Sequence, residues 1–168
     1  MSELTHAPAF VAYAVSAALL CLNLYGLWLF SGLTRNRTRT LINPEDTRLL
    51  SGRSIVERDP PEVARVLRAH ANAMANILPF LILGFLYVLL GASRTGAVIY
   101  FGVFTVARYI HSVAYVAALQ PWRTVSYVVG LLASIGLIVQ VVLRALTYAT
   151  RPPPLAAARG SRTARSTA

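Results

Sequence analysis

Four long apolar segments dominate the sequence and restrict what the chain can fold into. The first, from Ala9 to Leu33, is almost uncharged, and the next one along the chain is polar only in its first half. A helix of roughly 20 apolar residues crosses the hydrocarbon core of a bilayer. We therefore predict an all-α fold, an integral membrane four-helix bundle, with spans at about residues 9–33, 62–90, 97–119 and 124–148.

The composition favours the same fold. Of the 168 residues, 56% are hydrophobic and only 13% are charged, whereas soluble domains carry about 25% charged residues. We predict one membrane domain over residues 1–150. Residues 151–168 are rich in Ala, Arg, Ser and Pro, and because such a segment cannot bury a core, we predict a disordered basic tail.

The charge and the single cysteine argue against two classes of site. The formal charge of +10 comes entirely from arginine, and most arginines lie in loops and in the tail beside apolar segments. A nucleic-acid-binding protein would instead carry a basic face or a recognition motif, so we predict no nucleic-acid partner. Cys21 stands alone, which excludes a disulfide or a cysteine metal site within one chain. We predict no metal.

The distribution of arginines also predicts the orientation in the membrane. The loop after the first span carries six of them, at positions 35, 37, 39, 48, 53 and 58. Because positive residues favour the cytoplasmic side, we predict that this loop is cytoplasmic. The exclusive use of arginine and the Ala-rich tail are typical of a G+C-rich bacterial genome, for which the membrane would be the inner one.

The third span contains the most informative polar residues. Arg108, His111 and Tyr115 follow at i, i+3 and i+7 and therefore share one helix face. An arginine near the middle of a span costs about 2.5 to 3.5 kcal/mol on insertion scales, so Arg108 must face the bundle interior, a partner or a polar cavity. This face suits an anionic ligand. The alternative is a structural network in which Arg108 pairs with another buried polar group.

Neighbouring spans add further donors. On the second span Arg65, Arg68 and Asn72 lie within one sector, and the interior of spans two to four carries no carboxylate that could pair with the arginines. This pattern favours an external anion. Arg123 and Thr124 stand in the first turn of the fourth span, where the helix dipole can help to stabilise a thiolate or an oxyanion. The alternative there is an anchor at the membrane interface.

Several segments together resemble the MAPEG family, the membrane-associated proteins of eicosanoid and glutathione metabolism. They are residues 68–72 (RAHAN), 79–91 (PFLILGFLYVLLG) and 108–115 (RYIHSVAY). Residues 43–46 (NPED) and 123–127 (RTVSY) are similar too, so the resemblance extends in order over about residues 25–148. It is closest to the isomerase branch of the family.

The resemblance implies a homotrimer of four-helix subunits that binds glutathione between neighbouring subunits, near the cytoplasmic ends of the helices. It implies a thiol-dependent transferase or isomerase, which would act on a lipophilic electrophile or peroxide from the surrounding membrane lipids. The implied catalytic residues are Arg123, Thr124 and Asp46. The implied glutathione contacts are Arg35, Arg68, Asn72, Arg108, His111, Tyr115, Arg123 and Tyr127.

Three alanines depart from the family pattern. Ala64 and Ala75 stand where glutamates are usual, and Ala71 stands where the isomerase branch has arginine. The glutamate normally meets the amino group of glutathione, and an unpaired charge costs about 1 to 3 kcal/mol. We therefore expect weakened glutathione binding, and two alternatives stay open: another thiol, or a non-catalytic membrane binding protein of the same fold. A four-span transporter is disfavoured, because ion coupling usually needs an intramembrane carboxylate.

Overall fold

The computed structural model describes residues 8–150, which form four long helices; the connection between the first two is the longest. The helices are α1 (Pro8–Thr38), α2 (Pro61–Leu89), α3 (Arg94–Val116) and α4 (Trp122–Ala149). All four are long and apolar enough to cross a membrane. The predicted all-α membrane bundle is confirmed, while the predicted tail at 151–168 lies outside the described residues and the domain division stays a prediction.

Two of the four helices have bounds that differ from the predicted spans by three or more residues. The first helix continues past Leu33 to Thr38, so Arg35 and Arg37 belong to its last turns rather than to the loop. It ends where Arg39 adopts a positive φ of 53°, which a helix does not accommodate. The bounds of α2 and α4 differ from the predicted ones by at most two residues.

The third helix is shifted by three residues toward the N-terminus at both ends. The span predicted to start at residue 97 is a helix that already begins at Arg94, because the Ser93 hydroxyl accepts a hydrogen bond from the Gly96 backbone nitrogen (3.1 Å). This is N-capping by serine. The helix ends at Val116 rather than Leu119, and Ala118 just beyond it has a φ of 59°.

The connection between α1 and α2 is more ordered than the polar loop that we predicted. Strands β1 (Thr40–Leu41) and β2 (Ser54–Ile55) pair in parallel and enclose a short 3-10 helix, Pro44–Arg48. The Arg35 guanidinium also donates to Asp59 Oδ1 from Nη2 (2.7 Å) and Nε (3.1 Å). The end of α1 is thereby tied to the start of α2.

The chain direction brings the polar parts of all four helices together. Helices α1 and α3 end, and α2 and α4 begin, on the side of the β1–β2 connection, which we call the loop end of the bundle. The middle of the bundle is held by aromatic packing: the Phe80 ring stacks on Phe104 at a centroid distance of 3.6 Å, and Phe101 meets Phe80 edge-on. The loop end is therefore the place where a polar site can form.

Candidate functional site

Arg108 lies at the centre of a group of polar side chains, which we call the polar cluster: Asn72, Arg108, His111, Tyr115, Arg123 and Tyr127. Its side chain is 1% exposed. Nη1 donates a long hydrogen bond (3.4 Å) to Asn72 Oδ1. The guanidinium carbon lies 5.7 Å from the Tyr127 ring centroid. Nε and Nη2 have no hydrogen-bond partner within residues 8–150. Arg108 therefore has free donors and only a neutral polar partner.

Gly130 on α4 makes room for this guanidinium. A Cβ placed on Gly130 would lie only 3.0 Å from Arg108 Nη2 and 3.2 Å from Nε. A side chain at this position would push the guanidinium aside. The glycine thus allows the backbone of α4 to approach the charged group of α3.

His111 connects the end of α3 to the first turn of α4. Its Nδ1 lies 3.0 Å from the Arg123 carbonyl oxygen, and because a carbonyl can only accept, Nδ1 carries the proton. Nε2 is buried without a partner among the described residues, and in the neutral ring it is an acceptor. The ring also packs near Tyr115 and Tyr127, at centroid distances of 5.7 and 5.9 Å.

Arg123 and Thr124 are held next to each other by Gln120. The Gln120 amide can be oriented so that both its oxygen and its nitrogen form hydrogen bonds. In this orientation the oxygen accepts from Arg123 Nη2 (2.7 Å) and Nε (3.2 Å), and the nitrogen donates to the Thr124 hydroxyl (3.1 Å). The Arg123 guanidinium lies over the Tyr115 ring, 5.1 Å from its centroid. Arg123 is half-buried and Thr124 is exposed, so both can reach a ligand at this end of the bundle.

A second set of predicted residues lies outside the polar cluster, in a groove of about 720 Å³ between the β1–β2 connection and α2. Arg35 and Arg68 line this groove together with Asp59 and Ala64. Because Arg35 is already paired with Asp59, its charge is partly compensated. Asp46, on the 3-10 helix, has a long hydrogen bond from Asn43 (3.5 Å). Within the described chain no hydrogen bond links it to Arg123 or Thr124.

The distribution of charge decides what the polar cluster can bind. Within residues 8–150, the carboxylates belong to the connection between α1 and α2 and to the first turn of α2, at positions 45, 46, 57, 59 and 62. The polar cluster itself contains two arginines and no carboxylate. Guanidinium groups in such surroundings bind carboxylates and other oxyanions strongly. The cluster is therefore suited to an anionic ligand, including a thiolate.

The sequence prediction named all six members of the polar cluster but missed two residues beside it, Gln120 and Gly130, and one arginine at the opposite end of the bundle. Gln120 precedes Arg123 and Thr124 by three and four residues, the spacing of neighbours on a helix, and this spacing is the signal that could have identified it. Nothing in the sequence marked Gly130. Arg144 was overlooked as an arginine inside the fourth span. It lies at the opposite end of the bundle, where it donates to the Gly91 carbonyl and packs 5.0 Å from the Tyr87 ring centroid.

Comparison with known proteins identifies the family of this chain. The model of the MAPEG family matches residues 13–143. Human prostaglandin E synthase is 37% identical over 142 residues, which cover 84% of this chain and 93% of that protein. The bovine prostaglandin E synthase is 36% identical over 147 residues, or 87% of this chain and 95% of that protein. Human microsomal glutathione S-transferase 1 is 34% identical over 125 residues, which cover 72% of this chain and 81% of that protein. The chain belongs to the MAPEG family, as the motifs around Arg108 and Arg123 predicted.

Proposed function

We propose that this chain is a membrane enzyme of the glutathione transferase and isomerase type. It uses glutathione, or a related thiol, to act on a lipophilic electrophile or peroxide that arrives from the bilayer. The observation that carries the proposal is the set of buried atoms without partners in the polar cluster, Arg108 Nε and Nη2 and His111 Nε2. Its similarity to prostaglandin E synthases and to a microsomal glutathione S-transferase supports the same reading.

The residues of the polar cluster fit an anionic thiol. Arg108 offers two free donors to a carboxylate, and the neutral ring of His111 offers an acceptor to an N–H or S–H group. Unpaired buried polar atoms cost free energy. A ligand that forms hydrogen bonds with Arg108 Nε, Arg108 Nη2 and His111 Nε2 removes this cost and therefore binds more tightly. In the groove at the loop end, Arg68 adds a cation without a carboxylate partner among the described residues, whereas Arg35 is paired with Asp59.

Arg123 and Thr124 are the proposed catalytic groups. The bound thiol supplies a sulfur nucleophile. Arg123 places a positive charge in the first turn of α4, where the helix dipole adds to it, and this field favours the ionised form of a nearby thiol. The Thr124 hydroxyl can donate a hydrogen bond to the same atom, and Gln120 keeps the two side chains adjacent. Asp46 stays a prediction as a third catalytic group.

We further propose that the functional unit is a homotrimer. Arg68 on α2 is exposed in the single chain, as are Ala71 and Ala75 on the same helix. An arginine exposed on a membrane helix needs a polar partner, and a neighbouring subunit can supply one. Chemical crosslinking of the protein in native membranes should produce dimer and trimer bands and none of higher order.

The proposal is tested by calorimetric titration of the detergent-purified protein with glutathione, together with ultraviolet absorbance of the thiolate. We expect saturable binding and a thiolate signal. The Arg123→Ala variant should still bind but lose the thiolate signal and the conjugation of a chlorodinitrobenzene. Unchanged turnover in this variant would remove Arg123 from the mechanism. Absence of binding at millimolar glutathione would exclude glutathione as the thiol.

A second candidate function is a non-catalytic membrane binding protein. Its support is the face of α2 around Arg68, where Ala64 and Ala75 stand in place of the family's glutamates and leave no carboxylate for an amino group, and where Ala71 replaces an arginine. This candidate predicts that an anionic lipophile binds at the polar cluster and that no thiol is ionised there. Thiolate absorbance therefore distinguishes the two candidates, because only the enzyme produces it.

A further inference from the structure

The groove at the loop end carries charges of both signs, whereas the polar cluster carries only positive ones. The arginines that line it are Arg35, Arg58 and Arg68, and the carboxylates are Glu57 and Asp59. Surfaces that recognise each other present opposite charges at matching positions. A groove with separate free charges of both signs therefore suits a zwitterionic ligand.

One ion pair in this groove is already formed. Asp59 Oδ1 accepts both hydrogen bonds of the Arg35 guanidinium, the shorter one at 2.7 Å. Glu57, in contrast, is exposed and has no hydrogen bond or ion pair with any residue from 8 to 150. Because Asp59 occupies Arg35, that guanidinium does not compete for Glu57. The Glu57 carboxylate is therefore available to a positively charged group of a ligand.

Arg68 is the complementary free cation. It lines the same groove, is exposed, and has no carboxylate partner within the part of the chain that the structure describes. A guanidinium can bind a carboxylate through two parallel hydrogen bonds. Its five N–H donors also leave capacity for the polar partner that we expect from a neighbouring subunit. The groove thus offers one free group to an ammonium and one to a carboxylate.

One face of α2 leads from this groove to the polar cluster. Ala64, Arg68 and Asn72 follow one another at intervals of four residues, a rise of about 6 Å each. Asn72 Oδ1 accepts from Arg108 Nη1 (3.4 Å), so the last of the three already belongs to the cluster. An extended tripeptide is about 10 Å long. A ligand of this size can therefore contact Arg68 at one end and the cluster at the other.

We propose that the groove binds the α-amino-acid end of the thiol ligand, with its ammonium group on Glu57 and its carboxylate on Arg68. The thiol then lies at the polar cluster, and the second carboxylate of glutathione is left for Arg108. Ala64 lines the groove and brings no charge to it, so the carboxylate for the amino group comes from the connection rather than from α2. The inference rests on the proposed function and adds the class of thiol, one with a free amino-acid end.

The test is calorimetric titration of the detergent-purified full chain with glutathione and with glutaryl-Cys-Gly, which differs from it only by the missing amino group. We expect the wild type to bind glutathione about three to ten times more tightly, the effect of one hydrogen bond to a charged group in an exposed site. Glu57→Gln should remove this preference and leave the affinity for glutaryl-Cys-Gly unchanged. Glu62→Gln is the matched control. It removes the same charge, but position 62 lies about 200° around α2 from Ala64, and the preference should persist.

Two further measurements test the charges themselves. Ala64→Glu in the Glu57→Gln background places a carboxylate back in the groove and should restore the preference for glutathione. The compound γ-aminobutanoyl-Cys-Gly keeps the ammonium group but lacks the α-carboxylate. It should bind more weakly than glutathione to the wild type, whereas Arg68→Gln should bind the two equally.

The outcomes separate this inference from the proposed function. Equal affinities of the wild type for glutathione and glutaryl-Cys-Gly would overturn the inference alone, because the thiol would bind without any contact to its amino group. An undiminished preference in Glu57→Gln would place the carboxylate elsewhere. Failure of Ala64→Glu to restore a lost preference would show that Glu57 acts through the shape of the connection. Absence of binding of either compound would overturn the proposed function as well.

Discussion

Arg108 carries its charge in a place where no described neighbour offers a carboxylate. Its polar partner is the neutral Asn72, and two of its nitrogens are buried without partners. A buried charge of this kind reduces stability unless a ligand completes its hydrogen bonds. We infer that the residue is present for binding rather than for packing, a distinction that the sequence left open.

The first prediction separates these two roles. Arg108→Leu removes the charge and both free donors, so glutathione should bind about tenfold to a hundredfold more weakly, the usual effect of losing hydrogen bonds to a charged group. Because the leucine leaves no unpaired charge, the melting temperature should stay level or rise. Calorimetry and thermal unfolding in detergent measure the two effects.

Arg144→Leu, at the opposite end, is the matched control and should leave binding unchanged. A large fall in melting temperature with intact binding would instead assign Arg108 a structural role.

The second prediction concerns Gln120, which accepts two hydrogen bonds from Arg123 in its satisfied orientation. Gln120→Glu keeps the shape but gives Arg123 a permanent anionic partner. The positive field available to a bound thiol then decreases, so the thiolate absorbance and turnover should both fall severalfold while the amount of bound glutathione changes little. Gln120→Ala, which frees Arg123 without adding a charge, should retain more thiolate than Gln120→Glu. The reverse order would show that Gln120 acts through position alone.

At the scale of the helices, close approach depends on a few glycines. Gly84 on α2 faces Phe101 of α3 and Tyr13 of α1, and an added Cβ would lie 2.9 Å from the Phe101 ring and 3.2 Å from Tyr13. The Phe101 ring is itself buried among other aromatic rings, so it cannot move away easily. Small residues at such crossings let membrane helices pack directly against each other.

The third prediction follows from this crossing. Gly84→Ala should lower the stability by about 1 to 3 kcal/mol, since extra atoms are forced into a packed core. Gly32→Ala is the control, because a Cβ on Gly32 meets nothing within 4 Å, and it should stabilise α1 slightly by favouring the helix. Thermal unfolding in one detergent measures both. Equal shifts in the same direction would mean that helix propensity, not the crossing, controls the outcome.

Sequence periodicity predicted the existence of the helices much better than their ends. The length of the apolar segments was enough to predict four spans. The helix ends depend on single residues: the Ser93 hydroxyl caps the start of α3, and the positive φ of Arg39 and of Ala118 stops the preceding helix. None of these changes the hydrophobic pattern. The polar cluster could be predicted because its members follow helical spacing on three helices. The gathering of Gln120 and Gly130 around it depends on how those helices pack, which one sequence does not specify.

For the whole molecule, the arrangement of charges predicts an orientation that is still untested. The loop end carries Arg35, Arg37 and the four arginines of residues 39–58, with Arg123 at the start of α4, whereas among the described residues the opposite end has Arg94 and Arg144. Arg144 was not counted in the sequence prediction. It reduces the excess of arginines at the loop end over the opposite end but does not reverse it. The positive-inside rule therefore still favours a cytoplasmic loop end.

The fourth prediction tests this orientation with the one native cysteine removed. In a Cys21→Ser background, Thr47→Cys places a thiol in the connection between α1 and α2, and Thr95→Cys places one in the first turn of α3 at the other end. A membrane-impermeant maleimide should label position 95 in intact cells or spheroplasts and position 47 only in inverted vesicles, because the bundle separates the two sites by a full bilayer. Labelling in the opposite pattern would place the polar cluster on the far side of the membrane, away from the cytoplasmic pool of thiols on which the proposed chemistry depends.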